Sequence, residues 1–166
     1  MVKISSIFVA FLENMNFNNL LEGHTRNYFL MPIIPFFSGA NTGIGKITAT
    51  DLAKRGARVI ICCRDMKRAN AGLADIKAES GNDEVEIVQL DLASLKSVRQ
   101  AALKLSRKEE KIDYLINNAG VMMCPQWKTE DGFDMQMGTN HFGHFLFTEL
   151  LTPLVKRAAT EDFTPR

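Results

Sequence analysis

The stretch ARVIICC, Ala57 to Cys63, ends in five apolar residues with no apolar–polar alternation. A strand with one face in water alternates; a short, β-branched, unbroken apolar run belongs to a strand buried on both faces, the condition of a parallel sheet covered by helices. Its flanks carry helical spacing. KITATDLAKRG (Lys46 to Gly56) can align Ile47, Ala49, Leu52 and Ala53, with Gly56 as its stop, and MKRANAGLADIKAES (Met66 to Ser80) spaces Ala69, Leu73 and Ile76 before Gly81-Asn82 ends it. The alternation continues with a strand in EVEIVQLDL (Glu84 to Leu92) and a helix in SLKSVRQAALKLSRKEE, capped by Ser94 with Leu95, Val98, Ala102 and Leu105 on one stripe. IDYLINNAG (Ile112 to Gly120) is the next strand, and DGFDMQMGTNHFGHFLFTELLTPLVKRA reads mostly as one long final helix. Repeated strand–helix units with short connections predict an α/β, doubly wound parallel sheet of about four strands with right-handed crossovers and helices on both faces.

Upstream of Ser38 this order fails. ISSIFVAFL (Ile4 to Leu12) resembles the apolar part of a signal, but nine residues are too few to cross a bilayer and no small-residue cleavage site follows. ENMNFNNLLEGHTRN is Asn-rich with a weak apolar period and reads as loop. YFLMPIIPFF (Tyr28 to Phe37) is apolar enough for a strand, yet Pro32 and Pro35 remove ladder donors, so a damaged strand is expected. The chain therefore divides into an atypical segment 1–37, a strand–helix domain 38–158 and a tail 159–166.

Composition excludes more than it selects. A formal charge of +1 offers no overall field for nucleic acid or an anionic surface. Three cysteines (Cys62, Cys63, Cys124) without a C-x-x-C pair indicate neither a disulfide framework nor a zinc site and suit a reducing, intracellular setting. His141 and His144 have too few ligating neighbours in the sequence for a metal, so none is expected. The series Phe133, Met135, Met137, Phe142, Phe145 and Phe147 reads as helix packing. The mixed-sign RKEEK (Arg107 to Lys111) is a helix end that needs no ligand.

The feature that points to a ligand is FFSGANTGIGK, three glycines in seven positions between an apolar run and a helix. In a doubly wound sheet this turn lies at the carboxyl end of the first strand, where ligands bind. Glycine permits positive φ and close backbone approach, and the helix N-terminus adds partial positive charge, so the expected guest is a phosphate. The spacing is G-x-x-x-G-x-G, not the P-loop, which ends in Gly-Lys-Ser/Thr.

Here the chain resembles the short-chain dehydrogenase/reductase family, whose Thr-Gly-x-x-x-Gly-x-Gly fingerprint stands as Ser38-Gly39-Ala40-Asn41-Thr42-Gly43-Ile44-Gly45 and whose Asn-Asn-Ala-Gly stands as Asn117-Asn118-Ala119-Gly120. GARVIICCRD, LDLASLKS, LINNAGVMMCP and NHFGHFLFTELL look more narrowly like the retinol dehydrogenase group. The resemblance covers Ser38 to Ala158 and implies a Rossmann-like fold, with 38–158 as an incomplete dinucleotide-binding domain. It implies that Gly39, Ala40, Asn41, Thr42, Gly43, Ile44 and Gly45 serve the pyrophosphate, Asp91 the adenine, and Asn117, Ala119 and Gly120 the ribose and nicotinamide. Asp91 is open to a second reading as a strand-end cap, and the asparagines to one as strand-to-strand hydrogen bonding. Beyond the second strand, where NAD enzymes place an acidic residue, the chain has Arg64, with Asp65 following, and a guanidinium there favours NADP(H). The alternative for Arg64 is a solvated loop charge.

The family's proton chemistry uses a Tyr-x-x-x-Lys pair, a serine and a helical asparagine. By position in GTNHFGHF, Asn140 is that asparagine; otherwise it marks a helix kink or a buried hydrogen bond. The other three have no counterpart: Tyr28 and Tyr114 are the only tyrosines, and neither has a lysine four residues on. The resemblance implies hydride transfer between NADP(H) and a retinoid or similar lipid-like alcohol or aldehyde. It implies a cytoplasmic or endoplasmic reticulum membrane-associated setting. The chain reads as truncated and is expected to be inactive alone. A non-catalytic cofactor-binding or partner-binding module is the alternative, and a sheet stopping after four strands is expected to leave an open edge that self-associates.

Overall fold

The structure is a computed structural model that describes residues 33–161 and 163–166. The strands are β1 (Pro35–Ser38), β2 (Val59–Cys63), β3 (Val85–Gln89) and β4 (Tyr114–Ile116); the helices are α1 (Gly43–Lys54), α2 (Met66–Ser80), α3 (Leu95–Lys108), α4 (Met135–Met137) and α5 (His144–Arg157), the last two joined by a π-helical turn, Gly138–Gly143. All pairings are parallel in the order β3-β2-β1-β4. The sheet is the doubly wound, Rossmann-like arrangement expected.

Pro35 does not break β1. It is the strand's first residue, where a missing N–H removes least from the ladder, and Phe36, Phe37 and Ser38 pair with β2 on one side while Pro35 to Phe37 pair with β4 on the other. The regular unit begins at Ile33. Ile4 to Leu12 and Pro32 lie outside the described residues. Because strand side chains alternate, Phe36 and Phe37 face opposite sides. Phe36, Ile60, Cys62 and Val88 pack with Val98, Ala102 and Leu105 of α3 and Phe147, Leu151 and Leu154 of α5. On α1, Ile47 is 47% exposed while Thr48 and Thr50 are buried, against the apolar face expected. Each threonine hydroxyl donates to the carbonyl four residues back, which removes the cost of burying it.

Two further expectations are corrected. The final helix is interrupted by the π turn. Of the Met and Phe series only Phe147 is fully buried; Phe133, Met137 and Phe145 are exposed. At the β4 edge of the sheet, Arg166 O accepts Leu115 N–H at 2.7 Å, Arg166 N–H donates to Asp113 O at 3.1 Å, and Phe163 meets Tyr114 edge-on at 5.8 Å. The RKEEK helix end holds an ion-pair network. Arg58 makes a fork to buried Glu109 at 2.6 and 2.9 Å and reaches Glu86 at 2.8 Å, with Lys108 bonded to Glu86 from the other side. Those carboxylates hold the Arg58 guanidinium well above its ordinary range.

Candidate functional site

At the carboxyl ends of β1 and β2 a crevice of about 560 Å³ opens between the glycine turn, the loops after β2 and β3, and the segment after β4. The turn begins with a left-handed residue, Gly39 at φ +69°. A Cβ on Gly39 would fall 2.7 Å from the Ala119 Cβ, and one on Gly45 would fall 2.4 Å from Asn118 Nδ2, so both glycines are required by close approach of the two motifs. Gly43 also has positive φ, at +60°, with open space around it.

The turn feeds directly into α1. Thr42 at its N-cap makes no side-chain cap, and the first turn carries no acidic residue. α2 and α3 differ: Asp65 accepts Arg68 N–H at 3.0 Å, and Ser94 accepts Ser97 N–H at 3.3 Å. The α1 N-terminus therefore presents uncapped backbone donors and the positive end of the helix dipole to the crevice.

The β1 and β4 ends are sewn together through polar atoms. Ser38 Oγ accepts the backbone N–H of Asn118 at 2.9 Å and of Ala119 at 3.0 Å, and lies 2.7 Å from His144 Nε2. The Asn118 amide donates to the carbonyls of Ser38 and Gly39. His144, buried, has its pKa pushed down by that burial, partly offset by the Asn140 carbonyl at its Nδ1. Cys63 donates its thiol to Asn41 Oδ1 at 3.6 Å, and burial pushes both the Cys62 and Cys63 thiols up.

Gly39, Asn41, Thr42, Gly43, Ile44, Gly45, Arg64, Asp91, Ala119 and Gly120 all line the crevice. Ala40 is fully buried beneath the turn. Asn117 is turned away, donating to Thr148 Oγ1 on α5 at 2.9 Å; its neighbour Asn118 faces the crevice instead. Asp91 has both its readings at once, lining the crevice while its carboxylate accepts Ala93 N–H at 2.9 Å. Asn140 sits in the π turn and clasps Val121, accepting its N–H and donating to its carbonyl, each at 2.8 Å. It thus sits at a helix irregularity, as one plainer reading anticipates, but its hydrogen bonds are exposed rather than buried. His144 is buried, whereas His141 lies on the π turn beside Phe142 and Phe145.

Two contributors escaped the sequence reading. Arg68 lines the crevice beside Arg64 and Asp65, one turn into α2, a position no local pattern marks. Gly72 lies inside α2, where a Cβ would sit 2.7 Å from Asn41 O and 2.9 Å from its Cα. An isolated glycine in a helix was the available signal for that contact.

Among known proteins, the short chain dehydrogenase family profile matches residues 36–161. The chain is 57% identical over 122 residues to human retinol dehydrogenase 13, covering 74% of this chain and 37% of that protein. It is 45% identical over 158 residues to mouse retinol dehydrogenase 11, covering 94% and 50%. It therefore spans half or less of the length of these curated relatives. Among solved structures, the Pseudomonas aeruginosa RhlG/NADP active-site complex superposes at TM-score 0.67 with 28% identity, covering 81% of this chain and 53% of that one. A short chain dehydrogenase from Escherichia coli CFT073 complexed with NADPH gives 0.65 and 26%, covering 78% and 55%.

Proposed function

The chain belongs to the short chain dehydrogenase family, and from that membership we propose that its crevice binds NADP(H) as the cofactor-holding part of a retinol dehydrogenase-like oxidoreductase. The carrying observation is the junction of Gly39, Gly45 and the uncapped α1 N-terminus, a cradle that any Cβ at either glycine would fill and that offers donors to an anion. Arg64 and Arg68 stand at the far end of the same crevice, and the acidic Asp65 beside them spends one carboxylate oxygen on capping α2. This balance favours a 2′-phosphate over a bare ribose. Asp91 would face the adenine, and Asn118, Ala119 and Gly120 the ribose and nicotinamide side; the Asn117 side chain contributes through α5 rather than by contact.

When bound, the nicotinamide supplies or accepts a hydride at a carbonyl or alcohol carbon. The chain's own residues place that ring and shield it, with Val121, anchored by Asn140, as part of the wall. A developing alkoxide also needs a proton donor and an oxygen-binding hydroxyl, together worth at least about 10²-fold in rate. Tyr114 does not serve as that donor: it is buried within β4, and burial pushes its phenol up. The 166 residues by themselves hold cofactor without turnover, and the substrate class of the whole protein is a retinoid or similar lipid-like alcohol or aldehyde, a reading supported by the relatives' names. No helix among the described residues is long and apolar enough to cross a membrane.

Fluorescence titration with NADPH and NADH tests the reading. NADPH should bind more tightly, and Arg64→Ala should weaken it roughly tenfold or more while leaving NADH nearly unchanged. Equal affinities, or no binding, would overturn it. Retinal reduction by the same chain, followed at the cofactor absorbance, should stay at background; sustained turnover would require another acid in the crevice.

A further inference from the structure

We propose that His144 is a positioning residue, held as the Nδ1–H tautomer between the Asn140 carbonyl and the Ser38 hydroxyl, and that it orients Ser38 to hold the Asn118–Ala119 backbone against the crevice. A serine hydroxyl has one hydrogen and two lone pairs. Both lone pairs of Ser38 Oγ are taken by the N–H groups of Asn118 and Ala119, so the contact to His144 Nε2 at 2.7 Å uses the hydroxyl hydrogen. Nε2 is then an acceptor. The proton of a neutral imidazole must sit on Nδ1, where it points at Asn140 O at 3.0 Å. The opposite tautomer would ask Ser38 Oγ to accept three hydrogens and would set a bare Nδ1 lone pair against a carbonyl oxygen. An imidazolium fails at the Ser38 side for the same reason.

The ring thus transmits the position of the π turn to the crevice wall. Asn140 clasps Val121 with its side chain and engages His144 with its carbonyl; His144 fixes the Ser38 hydroxyl; Ser38 fixes two of the amides that follow β4. His144, the first residue of α5, is the only one of these at a helix start immediately after the π turn. Without its acceptor, the Ser38 hydroxyl rotates freely and its lone pairs no longer have one direction.

The test uses the 166-residue chain with ¹⁵N-labelled histidine. Two-bond ¹H–¹⁵N correlation spectra should show Nδ1 protonated and Nε2 bare for one histidine, lost in His144→Phe; the Nε2–H form or a tautomer mixture would overturn the proposal. Two amide isosteres separate the ring's halves. His144→Gln reaches the Nε2 position and can accept from Ser38, whereas His144→Asn reaches the Nδ1 position and can only serve Asn140. Amide exchange at Asn118 and Ala119 should accelerate about tenfold in His144→Asn and stay near wild type in His144→Gln, with β2 and β3 amides unchanged in both. Equal acceleration in the two variants would overturn it. The consequence for the cofactor rests on the NADP(H) reading: NADPH affinity should follow the same order. If the unaltered chain binds no NADPH, that reading fails, while the nitrogen spectra and exchange rates still decide the role of His144.

Discussion

Replacing Gly72 with alanine sets two opposed effects against each other in one methyl group. In a helix interior alanine is favoured over glycine by about 1 kcal/mol, and α2 by itself should be strengthened. The added Cβ, however, would stand 2.7 Å from Asn41 O, 2.9 Å from its Cα and 3.1 Å from its carbonyl carbon. All three are backbone atoms of the glycine turn, so no side chain can rotate away. Ordinary contact needs roughly 0.7 Å more than the shortest of these, and overpacking of this kind costs about 1–3 kcal/mol. The net change in stability is then about 0–2 kcal/mol of loss, a drop of up to about 8 °C in the melting midpoint. The larger effect falls on binding, because the turn that moves carries the donors facing the anion, and sub-ångström misplacement of oriented groups costs on the order of tenfold or more. Gly72→Ala should weaken NADPH binding at least about tenfold with a small or negative shift in melting temperature. Calorimetric titration and thermal melts of the same samples provide the comparison, with Gly81→Asn as a control, since Gly81 caps α2 in open space. A Gly72→Ala chain that melts higher and binds NADPH unchanged would refute the packing argument.

Arg58→Met leaves Glu109 buried without its two-pronged partner and should destabilise the chain by about 3 kcal/mol in denaturant melts; Arg58→Met with Glu109→Leu should recover most of it, and a single-variant loss below about 1 kcal/mol would count against the network. His144 has its folded pKa lowered by burial, so the unfolded chain binds more protons just below neutrality; stability should be fully present above about pH 6.5 and fall as the pH drops through the lowered value, a slope that His144→Gln should flatten. A wild-type melting midpoint flat from neutrality to mildly acid pH would contradict it.

The strand–helix order and the glycine turn were legible because each rests on short-range chemistry. VIICC can only be a strand covered on both faces, Asp65 and Ser94 cap helices wherever helices begin, and Gly39 carries a positive φ that other side chains rarely adopt. Even so, local pattern misjudged faces and edges. It counted Ile47 in the apolar face and left Thr48 out of it, because periodicity cannot see that a threonine hydroxyl will find a carbonyl four residues back. It treated Pro35 as damage, because the harm a proline does depends on whether its position in the ladder needs a donor. Which of Asn117 and Asn118 enters the crevice is decided just past the end of β4, where the Asn118 amide turns to the Ser38 and Gly39 carbonyls and the Asn117 amide to Thr148 on α5. The Ser38–His144 bond joins residues 106 apart and has no local signature, and the Gly72–Asn41 contact joins a helix interior to a loop, signalled locally only by an isolated glycine that does not name its partner. Sequence determined which pieces could form and what kind of guest the turn suits; packing the pieces into one sheet decided which side chains meet, because hydrogen-bond pairing and steric contact depend on distances that only the folded backbone defines.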